Sequence, residues 1–110
     1  MTDKILVLTT CASEQEAERI ARALVERRLA ACVNILRGLR SLYRWKGALQ
    51  EDEECLLLVK SRRDLFDRLR AEIESLHSYE LPEVVALAIV EGSEGYLSWL
   101  ERELVPGPPD

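Results

Sequence analysis

The chain has 110 residues, 47% of them hydrophobic and 32% charged, which suits one domain with its own core and an ordinary soluble composition. Twenty acidic side chains stand against fifteen basic ones, for a formal net charge of -5 without any run of four Lys/Arg, so nucleic-acid binding has no electrostatic support. There are not eighteen consecutive apolar residues to span a membrane, the apolar run after Met1-Thr2-Asp3-Lys4 is too short for a secretory signal, and Cys11, Cys32 and Cys55 lack C-x-x-C spacing; these features predict a reduced cytoplasmic setting and exclude a zinc finger.

Residues 4–10 predict a short, apolar, buried strand. Ser13 with Glu16 three residues on forms a capping-box pattern, and Ala17, Ile20, Ala21, Leu24 and Val25 recur at helical spacing, predicting a helix over 14–29. Ala31 to Leu36 begins a second strand. Beyond Gly38 the pattern alternates, with Leu39, Ser41, Tyr43 and Trp45 on one face and Arg40, Leu42, Arg44 and Lys46 on the other. Lys46-Gly47 is a hairpin turn signal, and 48–60 is the returning strand, first acidic (Glu51 to Glu54), then apolar (Cys55 to Val59).

Ser61 with Asp64 predicts the cap of a helix over 62–76, whose buried stripe is Leu65, Phe66, Leu69, Ile73 and Leu76. Pro82 favours extended backbone at Leu81. The unbroken apolar run within 83–90 predicts a strand buried on both faces or at a sheet centre. Ser93 is placed to cap a third helix carrying Tyr96, Leu97, Leu100 and Leu104. A single domain over 1–105 then leaves the proline-rich 106–110 as a flexible tail.

The order β-α-β-β-α-β plus a helix predicts an α+β, ferredoxin-like (split β-α-β) sandwich with a long β2-β3 hairpin and an extra C-terminal helix. An isolated long hairpin is only marginally stable in water. Aromatic residues near its tip therefore predict that it lies against a neighbouring subunit. Arg40 and Arg44 opposite Glu51 to Glu54 would help to fix its register.

Five sequence pieces together resemble the CutA divalent-cation tolerance family: Leu29-Ala30-Ala31-Cys32-Val33-Asn34, Ser41-Leu42-Tyr43-Arg44-Trp45-Lys46-Gly47, Glu53-Glu54 with Lys60, His77-Ser78-Tyr79-Glu80-Leu81-Pro82-Glu83, and Tyr96-Leu97-Ser98-Trp99-Leu100. Their order covers residues 4–104. The resemblance implies a ferredoxin-like fold and a compact homotrimer with sheets extended across its interfaces, broadly like the PII-type signalling proteins. It also implies a role in tolerance of copper and other divalent cations, with no assigned turnover. One position departs from the pattern: the family usually has proline after the histidine, and here it is Ser78, which frees the backbone on either side.

The lone histidine, His77, sits where a helix gives way to a strand. Imidazole suits copper(II), zinc and nickel, Glu80 offers a carboxylate, and Cys11 lies near the positive end of the first helix, where a thiol becomes more acidic and more reactive toward soft metals. One histidine per chain predicts that no metal is tightly bound. The plainer role of His77 is a helix C-terminal cation favoured by the dipole. Cys32 and Cys55 read as small buried hydrophobes. Tyr43, Trp45, Tyr79 and Trp99, with Ser41 and Lys60, are placed to shape an intersubunit cleft or simply to pack between subunits. No nucleophile elbow or phosphate-binding glycine loop accompanies them, so no enzyme is predicted. The leading expectation is a cytoplasmic homotrimer binding copper or a similar divalent metal. The alternatives are a PII-like trimer taking a small anionic metabolite and a purely structural interaction trimer.

Overall fold

Alternating burial defines the first strand. In the computed structural model, which describes residues 2–107, β1 (Lys4–Cys11) turns Ile5, Val7, Thr9 and Cys11 inward. α1 (Glu14–Glu26) follows, and the Ser13 hydroxyl accepts the Glu16 N–H at 3.2 Å. Only half of the capping box forms, because the Glu16 carboxylate turns away to accept the Ser78 N–H at 3.2 Å. The helix stops before the predicted residue 29. Arg28 takes a left-handed φ of +58°, and the N–H groups of Arg28 and Leu29 reach back to the carbonyls of Val25 and Leu24 at 3.1 and 3.0 Å. That is a Schellman-type stop with arginine where glycine is usual, and it sends Leu29 into the core.

β2 (Cys32–Trp45) and β3 (Ala48–Arg62) form the long hairpin, closed by Lys46 and Gly47 at φ +51° and +82°. Two successive positive φ values make a type I′ turn, whose twist matches the strands it joins. The register slips by one residue between Leu36 and Leu39, at Gly38 with φ +76°. α2 (Phe66–Leu76) and β4 (Val85–Ala88) come next, then α3 (Glu94–Glu103). The sheet order is β2-β3-β1-β4 with every neighbour antiparallel, the ferredoxin-like arrangement.

One face of the sheet carries the core. Val7, Leu57 and Val59 meet Ile20 and Leu24 of α1, Leu69 and Ile73 of α2, and Leu100 of α3, all fully buried. Burying a side chain of this size contributes roughly 1.5–3 kcal/mol. The other face presents Leu6, Leu8, Leu56 and Leu58 as half-buried side chains, flanked by the exposed Leu36 and Leu87.

Three expectations change. Ser61 is not a helix cap: β3 continues through it, its buried hydroxyl donates to the Leu29 carbonyl at 2.6 Å, and a 3-10 turn (Arg63–Leu65) leads into α2. The fourth strand is short and is not a buried centre. β4 pairs only with β1 at the sheet margin, and Val85 and Leu87 are 46% and 52% exposed. Ser93 sits at the α3 N-cap position without a side-chain capping bond. α3 is held instead by Arg62, whose nearly buried guanidinium donates to Asp64 at 2.6 Å, Glu101 at 2.7 Å and the Val105 carbonyl at 2.9 Å. Pro106 and Gly107 carry no regular structure, and 108–110 of the expected tail lie outside the described residues.

Candidate metal centre and aromatic cleft

α2 ends at His77, whose backbone is already extended (φ -83°, ψ 143°). That geometry turns the imidazole inward, where its side chain is wholly buried. Nε2 lies 2.7 Å from the Thr10 carbonyl, and Nδ1 accepts the Tyr79 N–H at 3.1 Å. A carbonyl cannot donate, so Nε2 carries the proton and the neutral ring is satisfied at both nitrogens. The helix-dipole role expected of His77 gives way to this clamp between the end of β1 and the loop after α2.

Cys11, Glu16 and His77 bring a thiol, a carboxylate and an imidazole together with their ligand atoms all within 4.8 Å of one another. Glu16 Oε1 is buried, has no hydrogen-bond partner, and lies 3.6 Å from His77 Nδ1. The Ser78 N–H that holds the other Glu16 oxygen is a donor that proline at this position could not supply.

Two site expectations are corrected here. Cys11 is the last residue of β1, not a loop thiol, and is fully buried. Burial, and then the neighbouring Glu16 carboxylate, push its thiol up to about 12 instead of lowering it. Glu80 stands apart from the cluster: its side chain is 75% exposed and lies 3.7 Å from Lys46 Nζ. The carboxylate beside His77 belongs to Glu16, which sequence reasoning used only as a cap. Its spacing of four from Ile20 on the apolar stripe of α1 was the available signal, an acid on a core-facing position.

The distal arm of the hairpin and the loop after His77 flank a cavity of about 660 Å³, lined by Ser41, Tyr43, Trp45, Tyr79 and Glu54 among others. Tyr79 Oη donates to Glu54 Oε2 at 2.6 Å, and the Tyr43 hydroxyl donates to Asp52. Burial and the Glu54 bond raise the Tyr79 phenol well above its ordinary value, and the Asp52 bond raises that of Tyr43. Lys60 and Trp99 are not in this cavity. Lys60 Nζ lies 5.6 Å from the Tyr96 ring centroid, and Trp99 packs on Tyr96 at 5.5 Å. Within one chain, the residues expected to shape an intersubunit cleft lie partly on the distal hairpin arm and partly at α3.

Sheet order and helix placement define an α+β protein of the ferredoxin-like class. Residues 5–103 match the family model described as CutA1 divalent ion tolerance protein. The chain is 55% identical over 97 residues to the divalent-cation tolerance protein CutA of Thermus thermophilus, covering 88% of this chain and 94% of that one. It is 44% identical over 93 residues to the mouse protein CutA, covering 84% of this chain and 52% of the mouse protein, so it spans about half of that longer relative. The solved Thermus thermophilus divalent cation tolerance protein superposes with a TM-score of 0.91 at 51% identity, covering 93% of this chain and 99% of that chain. The chain belongs to the CutA1 divalent ion tolerance family. The family description and the names of the Thermus thermophilus proteins speak of ion tolerance and not of a reaction. Among the described residues no helix is long and apolar enough to cross a membrane.

Proposed function

We propose that the chain acts in divalent-cation tolerance by binding copper or a similar divalent metal, without catalysis, at Cys11, Glu16 and His77 of each subunit of a homotrimer. The observation that carries this reading is the buried Glu16 Oε1, which lacks a partner beside a thiol and an imidazole. A sulfur, nitrogen and oxygen donor set suits copper and zinc better than hard cations.

The same geometry argues for modest affinity. Ligation through His77 Nδ1 displaces the Tyr79 N–H, and Cys11 must give up a proton it otherwise holds to about pH 12. Metal binding then releases protons and tightens as pH rises. Anaerobic copper(II) titration tests the reading. Saturable binding is expected, tighter at pH 8 than at pH 6, lost in His77→Ala and at least tenfold weaker (roughly 1.4 kcal/mol) in Cys11→Ser and Glu16→Gln. Undiminished binding in all three variants would refute the site.

The trimer is supported by the uncovered leucine face and by two sheet edges, β2 and β4, open along their length; such edges call for cover. Sedimentation is expected to give three chains per particle, and a folded single-chain species at micromolar concentration would refute it. The reducing cytoplasm suits Cys11 and Cys55, register partners on adjacent strands that are both free thiols. The competing anionic-metabolite reading places Lys60 in a cleft between subunits; within one chain its ammonium lies 5.6 Å from the Tyr96 ring centroid.

A further inference from the structure

We infer that the cavity along the distal arm of the hairpin is a binding site for a small organic cation, an ammonium or guanidinium group on an apolar body. The reading does not require the metal proposal, because none of Cys11, Glu16 and His77 lines the cavity, although His77 and Tyr79 touch.

The cavity has the size of an ordinary small-molecule site, which runs from about 300 to 1,000 Å³. Its walls are aromatic and apolar, through Tyr43, Trp45, Tyr79 and Leu81. Its charge is one-sided. Glu54, Glu80 and Glu83 line it against a single guanidinium, that of Arg40, which is already engaged by Glu51. Glu54 is the decisive group: it is only 7% exposed, yet it faces the cavity. Tyr79 donates to one of its oxygens, and a carboxylate accepts more bonds than one. A buried carboxylate among ring faces selects a cation with an apolar body, because the rings attract positive charge and the carboxylate accepts its N–H groups.

The chain already demonstrates this chemistry at the rim. Lys46 Nζ lies 5.7 Å from the Trp45 ring centroid and 3.7 Å from a Glu80 oxygen. An ammonium group thus rests between an aromatic ring and a carboxylate at the mouth of the cavity. A ligand ammonium would use the same kind of contact one step deeper, at Glu54, and would meet Lys46 as a like-charged competitor.

The test uses the full-length assembled protein and two probes of matched shape and opposite charge, phenethylammonium and 3-phenylpropionate. The readout is the pair of tryptophan indole N–H signals in a nitrogen-correlated NMR spectrum. Trp45 lines the cavity and Trp99 does not, so one ring reports and the other is the control. Phenethylammonium is expected to shift the Trp45 signal saturably and leave Trp99 in place, while 3-phenylpropionate moves neither. Glu54→Gln keeps an acceptor for Tyr79 and is expected to weaken binding roughly tenfold or more. Lys46→Gln is expected to tighten it by about two- to fivefold, because a rim charge of the ligand's own sign is removed. Equal response to both probes, no saturable response to the cation, a Trp99 shift matching that of Trp45, or unchanged affinity in Glu54→Gln would each overturn the inference. If Glu54→Gln loses the native spectrum, Lys46→Gln decides, and weaker binding there overturns it.

Discussion

β3 passes through two environments. From Cys55 to Arg62 every second side chain or more is buried under the helices, whereas from Ala48 to Glu53 only Gln50 is even half-buried. The same strand pairs with β1 and β2 along its second half and with β2 alone along its first. The body is stabilised by contacts within one chain. The distal ribbon has backbone hydrogen bonds and cross-strand pairs but no covering layer, although Leu42 and Leu49 near its tip are 60% and 69% exposed. The difference separates what one chain needs in order to fold from what the proposed assembly would supply.

The largest effect should fall on the body. Leu57→Ala removes a fully buried side chain and is expected to destabilise the protein by about 2–5 kcal/mol, read by denaturant unfolding. The matching change at the tip, Leu49→Ala, is expected to alter the stability of the single chain by less than about 0.5 kcal/mol while shifting the proposed trimer toward single chains in sedimentation. A Leu49→Ala loss as large as that of Leu57→Ala would break the distinction.

Next comes the turn. Gly47 holds φ +82° with open space around it, so Gly47→Ala meets backbone strain and not a clash, about 1–2 kcal/mol. Hydrogen exchange should show the ribbon opening faster while the amides of β1 stay protected.

The cysteine gives a pH test on the body side. Cys11 is raised from 9.0 to about 12 in the fold, so the unfolded chain loses that proton first. Stability tied to the neutral thiol is complete below about pH 8.5 and is lost progressively as pH climbs toward 12. Thermal unfolding between pH 8 and 10.5 should decline for the parent protein and decline less for Cys11→Ala. The raised Tyr79 phenol adds a loss of the same sign above about pH 10.

The smallest effect is the ribbon's own ion pair. Arg40 and Glu51 are both well exposed, so Arg40→Ala should cost about 0.2–1 kcal/mol and vanish in high salt.

Element order, the Lys46-Gly47 turn and the family were all legible in the residues, because periodicity, turn chemistry and five spaced pieces agree with one another. His77 could be picked out because it is alone at a junction. Its carboxylate partner was harder to find, since Glu16 is 61 positions away and local spacing favours Glu80, three residues on. Only the packing of α1 beside the end of β1 decides between them. The apolar run in β4 looked like a sheet centre because an apolar strand at a sheet margin has the same local composition as one buried at the middle. Trp99 was grouped with Tyr43 on aromatic character and Lys60 as a cation ending an apolar strand, but which surface each belongs to depends on strand register and on where α3 lands, neither of which is written locally.

The slip at Gly38 has a consequence for how this protein can vary. Leu36 stands opposite Leu56 and Leu39 opposite Glu54, so one supernumerary residue reverses the parity of everything that follows in β2. Tyr43 and Trp45 owe their side of the ribbon to that odd residue. Excising Gly38 would leave the composition almost untouched, yet it would transpose the two surfaces of the arm, carrying the ring-bearing side chains to the back and Arg40, Leu42 and Arg44 to the front.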